Sequence, residues 1–163
     1  MGTGEVWAAK RAVILRSDAI GSCIGVAAFD INNGIGGMAH IMLPGRSSRS
    51  RLAFNTKYAE DALADMLFKM TRLGAVASQI QVCLAGGGNV LQDKDDRICA
   101  QLIHSVKGIL KTYNIPVVAE SLGGTSRRLI FFDIEDAAVY YAKGDAKSRL
   151  LYKWNQARGG VNE

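Results

Sequence analysis

The sequence predicts an α+β fold: two helices, six or so strands, and hairpins in place of regular βαβ alternation. Three observations carry this expectation. Two stretches repeat apolar residues at helical spacing, one on each side of a short apolar run. Several other apolar runs of four to seven residues are bounded by Gly, Asn or Pro, which is how strands are punctuated. Two of those runs are joined through Asn32-Asn33-Gly34, an Asn-Gly hairpin signal.

Composition agrees with one folded domain. The chain has 163 residues, of which 48% are hydrophobic and 21% charged, so it can bury a real core and is not disordered. Glycine is common at 18 and proline rare at 2. No apolar run reaches the length of a membrane helix, and no basic segment followed by an apolar core opens the chain, so neither membrane insertion nor secretion is expected. Three cysteines without close pairs argue against a disulfide framework or a zinc site, and a reducing cytoplasm is expected. The net charge of +5 gathers in residues 46–51 and 143–158. It reads as a solvated loop and tail; no aromatic series accompanies it, so no nucleic acid is expected.

In order along the chain, residues 12–15 form a short strand leading into Ser17. Residues 24–30 and 37–43 form the hairpin, the second strand stopped by Pro44-Gly45. Residues 46–51 are a polar, mobile loop. Asn55 or Thr56 caps a helix over 57–73, with Ala62, Leu63, Met66, Leu67, Met70 and Leu73 inward and Gly74 ending it. Residues 80–85 are a buried strand. The Gly86-Gly87-Gly88-Asn89 that follows lacks the Lys-Ser/Thr of a phosphate loop and the spacing of a dinucleotide fingerprint, so it reads as a tight turn. A second helix spans 95–113, with Ile98, Leu102, Val106, Ile109 and Leu110 inward and His104 on its outer side. Strands follow at 117–120, 129–133 and 138–142. Residues 145–156 read as a terminal helix with Leu150, Leu151 and Trp154 on one face, and the tail from Gly144 is expected to be dispensable for chemistry.

The residues with chemistry lie in the hairpin. Cys23 stands at the mouth of its first strand and His40 on its second, so folding brings them near; a one-residue slip in register would put them on opposite faces. A cysteine beside an imidazole supports nucleophilic catalysis. The thiolate attacks, and the ring takes the thiol proton and later protonates a leaving amine. A third group must orient the ring, and Ser17 is the nearest upstream hydroxyl apart from Ser22. Backbone N–H groups of the Gly21-Ser22-Cys23 turn are suited to an oxyanion. Cys23 is expected to be the reactive, thiolate-favouring cysteine, whereas Cys83 and Cys99 sit in apolar patterns. The plainer reading is that a cysteine fills core space and a strand histidine is hydrogen-bonded core.

This hairpin resembles the chemoreceptor glutamine deamidase family, CheD. The resemblance rests on Gly21-Ser22-Cys23, the apolar strand ending in Asp30, Gly36-Gly37-Met38-Ala39-His40 and Leu43-Pro44. It continues through Lys57-Tyr58-Ala59, Gly86-Gly87-Gly88-Asn89, Ile115-Pro116-Val117-Val118-Ala119-Glu120, Gly123-Gly124 and Arg127-Arg128-Leu129-Ile130-Phe131. It implies Cys23 as nucleophile, His40 as general base, and Ser17 as third residue, where the family has threonine six positions before the cysteine. The chain departs from the pattern there, at residues 93–98, in lacking a glycine before Arg127-Arg128, and in a longer tail.

The resemblance further implies a layered α/β/β sandwich with the cysteine in a cleft, a single deamidase domain over residues 1–143, and a basic tail over 144–163. The implied substrates are glutamines on the cytoplasmic helices of bacterial methyl-accepting chemoreceptors. The implied partner is a CheC-type phosphatase, and no metal or organic cofactor is required. Methylester hydrolysis at the same receptor sites is accessible to the same thiolate. The alternative is a non-catalytic adaptor that binds receptors or the phosphatase and keeps the Cys-His pair as scaffold.

Overall fold

The runs Ile24–Asp30 and Ile35–Ile41 become strands β3 and β4, and every residue in both is buried. A strand covered on one face alternates buried and exposed residues; one covered on both does not. The hairpin is therefore the middle of a layered structure. The computed structural model describes residues 1–48, 55–94 and 97–155. Around the hairpin lie β1 (Val6–Lys10), β2 (Ile14–Arg16), α1 (Ala59–Arg72), β5 (Ile80–Gly86), α2 (Ile98–Thr112), β6 (Val117–Leu122), β7 (Arg128–Asp133), β8 (Ala138–Lys143) and β9 (Arg149–Lys153).

Two sheets result. One has the order β1-β4-β3-β5-β6, antiparallel except for the β5–β6 pair; the other has the order β2-β7-β8-β9 and is antiparallel throughout. Alternation along the central strands feeds two cores. Ile24, Val26 and Ala28 face the helices with Leu63, Met66, Leu102 and Val106, while Ala27, Phe29 and Met38 face the second sheet with Ile130, Phe132 and Val139. The layering is helices, sheet, sheet. Glycines in the hairpin mark where neighbouring layers come closest. A Cβ at Gly37 would lie 2.7 Å from Met70 Sδ, and one at Gly25 would collide with Ile130 Cδ1. The turn is fastened by buried Asp30, whose Oδ1 accepts the Asn32 and Asn33 N–H groups and whose Oδ2 accepts the Val76 N–H at 2.7 Å.

Several sequence expectations change. β1 was not foreseen: Val-Trp-Ala-Ala-Lys is short and shows no clean alternation, because it is an edge strand whose Trp7 is 54% exposed. Helix α1 begins at Ala59 with Tyr58 at its N-cap and no side-chain cap. Asn55 and Thr56 do not cap it; the Thr56 hydroxyl instead donates to Gly4 O at 2.6 Å. Leu73 and Ile98, expected inward, are exposed at the helix ends. Residues 49–51 of the expected polar loop lie outside the described residues, as do 52–54 and 95–96.

The largest change is at the C-terminus, where residues 149–153 are a strand and not part of a helix. β9 pairs with β8, with Val139 opposite Tyr152 and a register shift between Val139 and Tyr140. Trp154 then enters the inter-sheet core, its ring centroid 5.2 Å from that of Phe29 and 5.9 Å from that of Phe132, and its indole N–H donates to Gln81 Oε1 at 2.9 Å. A dozen residues make a marginal helix unless packed, whereas the open edge of β8 supplies ladder hydrogen bonds and the phenylalanine pair a socket. Residues 156–163 lie outside the described residues. Among the described residues, no helix is long and apolar enough to cross a membrane.

Candidate active site

The hairpin register settles which face Cys23 and His40 occupy. His40 stands opposite Gly25, and Ile24 opposite Ile41. Cys23, one residue before β3, shares the parity of Gly25 and Ala27 and packs at the margin of the inter-sheet core. Both side chains thus belong to the face that meets the second sheet, offset along one diagonal. Diagonal neighbours of this kind are about 7–8 Å apart.

Burial sets their protonation. Cys23 is half-buried and His40 is 2% exposed. Loss of water pushes the Cys23 thiol above its ordinary value; hydrogen bonds from the Thr3 side chain and its own backbone N–H act the other way without cancelling this. Burial likewise pushes His40 below its ordinary value, against the Met1 carbonyl and the charges of Asp18 and Glu5. Both shifts favour neutral partners, thiol and imidazole. The expected thiolate preference is therefore reversed in the resting state.

The ring's tautomer follows from its contacts. Nδ1 lies 3.3 Å from Met1 O, and a carbonyl can only accept, so Nδ1 carries the proton. Nε2 is then an acceptor, and it is a buried side-chain polar atom with no hydrogen-bond partner among the described residues. The strap of residues 1–5 holds the His40 backbone as well: Gly4 N–H donates to His40 O at 2.8 Å and His40 N–H to Glu5 O at 3.1 Å. Sequence reasoning missed this strap. The apolar run beginning at Val6 was the signal available for it.

Ser17 is also buried, at 2% exposure. Its Oγ accepts the Ile130 N–H at 2.9 Å, and its own N–H donates to Ile130 O at 3.0 Å. No hydrogen bond between Ser17 and His40 occurs among the described residues. Ser17 instead stands behind Ile130, whose side chain packs over Gly25, the residue facing His40.

The Gly21-Ser22-Cys23 turn is clamped by the loop after β5. Gly87 N–H donates to Cys23 O at 2.7 Å and Gly88 N–H to Gly21 O at 2.9 Å. Gly86 has φ +126°, and a Cβ there would collide with Cys23 O. This is why the sequence carries glycines after β5: the backbone approaches the cysteine turn too closely for a side chain. Beside the turn, Gly21, Ser22, Gly88, Asn89, Val90 and Leu91 line part of an open cavity of about 380 Å³. Cys83 lies buried within β5, its thiol pushed up to about 12 by loss of water, and Cys99 is buried on α2. His104 is exposed on α2.

Comparison with known proteins bears on the family. A family model described as "CheD chemotactic sensory transduction" matches residues 42–143, most of the chain, beginning two residues after His40. A protein of Chlorobium luteolum named "Probable chemoreceptor glutamine deamidase CheD" is 31% identical over 152 residues, covering 93% of this chain and 76% of that protein. This chain belongs to the CheD family. Proteins carrying the same name from Clostridium novyi and Archaeoglobus fulgidus are 36% and 34% identical, over 74% and 88% of this chain and 76% and 93% of their own lengths. The alignment with the Chlorobium protein takes in nearly the whole chain, whereas the family model spans the helices, the glycine loop and strands β5 to β8.

Proposed function

We propose that this CheD-family chain deamidates glutamine side chains of chemoreceptors, releasing ammonia and leaving glutamate. The observation that supports it best is that a half-buried thiol and a buried imidazole, whose Nε2 has no partner among the described residues, lie on the same face of the central sheet. In the proposed reaction His40 Nε2 takes the Cys23 thiol proton as Sγ attacks the amide carbon. Two neutral partners make this a general-base step, with the thiolate formed only as it attacks. The C–N bond then breaks as the imidazolium returns its proton to the departing ammonia, leaving a thioester. Water, deprotonated by the same nitrogen, attacks the thioester; glutamate leaves and the thiol is restored.

Ser17 is the proposed third residue, and its part is positional. Its hydroxyl holds Ile130 of β7 to the segment that follows β2, and with it the Ile130 side chain that packs over Gly25, the residue facing His40. The family resemblance extends the proposal to a cytoplasmic setting, a CheC-type phosphatase as regulatory partner, and hydrolysis of receptor methylesters by the same thioester route.

Incubation with a purified receptor cytoplasmic fragment tests the proposal. Ammonia release with conversion of specific glutamines to glutamate, read by mass spectrometry, is the expected result. Binding of the fragment without ammonia release would mark the chain as an adaptor and overturn it.

A further inference from the structure

We infer that Arg128 is a positioning residue for this reaction, its guanidinium fixing the loops that clamp the Cys23 turn; this rests on Cys23 being the nucleophile. Arg128 opens β7 and is 3% exposed. Its Nε donates to Ser121 Oγ at 3.0 Å, Nη1 to Ser126 O at 3.0 Å and Nη2 to Gly123 O at 2.8 Å. Its backbone exchanges a pair of hydrogen bonds with Ile20, the residue just before the Gly21-Ser22-Cys23 turn, at 2.7 and 2.8 Å.

These contacts close a circuit. The guanidinium gathers both ends of the β6–β7 loop. That loop grips the one after β5: Gly123 N–H donates to Gly86 O at 2.9 Å, and Asn89 N–H to Gly124 O at 2.8 Å. The β5 loop in turn holds the carbonyls of Gly21 and Cys23 through Gly88 and Gly87. The guanidinium also backs directly onto Gly88, where a Cβ would lie 3.3 Å from Nη1. Arg128 therefore reaches the nucleophile turn from two directions, through Ile20 and through the glycine loop.

The choice of residue points the same way. The guanidinium's hydrogen bonds among the described residues all go to neutral oxygens, none to a carboxylate. Burying a cation is costly without hydrogen bonds, and a well-packed apolar residue would serve bulk stability as well. What a guanidinium adds is a rigid planar fork that fixes three oxygens at set directions, which an ammonium cannot do.

The test uses the full chain with Arg128→Lys, Ser121→Ala, and Val106→Ala as a control in the helix-side core. Arg128→Lys should lower kcat for receptor deamidation by about tenfold to a hundredfold with KM little changed, since small displacements of a reacting group cost this much. Ser121→Ala should lower it in the same sense by a smaller factor. In both, the pH profile of Cys23 alkylation by iodoacetamide should move to lower pH, because a loosened turn admits water to the thiol. Val106→Ala should lose thermal stability with kcat and the alkylation profile unmoved. The inference is overturned if Arg128→Lys keeps the wild-type alkylation profile and loses activity only in proportion to its unfolded fraction. If Arg128→Lys does not fold, Ser121→Ala decides by the same two readouts. A wild-type chain that releases no ammonia defeats the deamidase reading alone, and the alkylation profile still tests Arg128.

Discussion

The layer between the two sheets is built on opposite plans at its two ends. At one end Phe29, Phe132 and Trp154 pack edge-on and tilted within 6 Å of one another, and the one polar atom of the Trp154 side chain is paired with Gln81. At the other end, where β3 begins beside the loop after β5, Gly25, Gly86, Gly87 and Gly88 bring backbones close, a thiol stays half-exposed, and His40 Nε2 has no partner among the described residues. Filled volume and satisfied polar groups stabilise the first end. The second end gives up both, keeping a base ready to accept a proton. The difference teaches that the stability and the proposed chemistry of this fold are separable along one strand.

His40→Ala should produce the largest effect and only on the chemical end. Turnover should fall by about 10²–10⁴ while circular dichroism and stability stay near wild type. A variant with near-wild-type ammonia release would show that the unpaired nitrogen is not the base. Trp154→Ala should do the converse, lowering stability by about 3–5 kcal/mol in urea unfolding, with turnover per folded molecule retained. If it leaves stability unchanged, the aromatic end is not what holds the sheets together.

Ser17→Ala lies between the two ends and should touch both. It leaves the buried Ile130 N–H without its acceptor, at a cost of about 1–3 kcal/mol in stability. Turnover should slow by roughly three- to tenfold as the wall behind His40 loosens. Ser17→Thr keeps the oxygen and should restore both quantities. A stable Ser17→Ala variant with full turnover would remove Ser17 from the site.

The smallest effect is on pH dependence. His40 in the fold titrates below its ordinary value of 6.5, so the unfolded chain binds its proton more readily. Stability should therefore fall as pH drops from about 7 through 6.5 toward the folded value and level off below it. His40→Ala should abolish this part of the acid dependence. Equal acid sensitivity in both proteins would show that the ring is not held neutral by burial.

The hairpin was legible because its signals are local. An Asn-Gly turn, a run without alternation and a proline stop define β3 and β4 to within two residues, and both helices follow from their apolar stripes. The face shared by Cys23 and His40 was not legible, since register depends on pairing that sequence does not display. Ser17 was legible as a residue but not in its contacts, because its partner Ile130 lies 113 positions away. The strap at residues 1–5 and strand β9 were missed for a related reason: short edge segments take their conformation from the neighbour they pair with. Trp154 read as one side of an amphipathic helix because the socket made by Phe29 and Phe132 exists only after the sheets have met.

Reactivity at the three cysteines tests the central claim most directly. Brief iodoacetamide treatment of the native protein, followed by peptide mapping and an ammonia-release assay on a receptor fragment, reads site and function together. The account predicts that Cys23 is modified first, that Cys83 and Cys99 are protected by burial, and that ammonia release disappears in step with Cys23 modification. Full deamidation by protein alkylated at Cys23, or by Cys23→Ser, would contradict it.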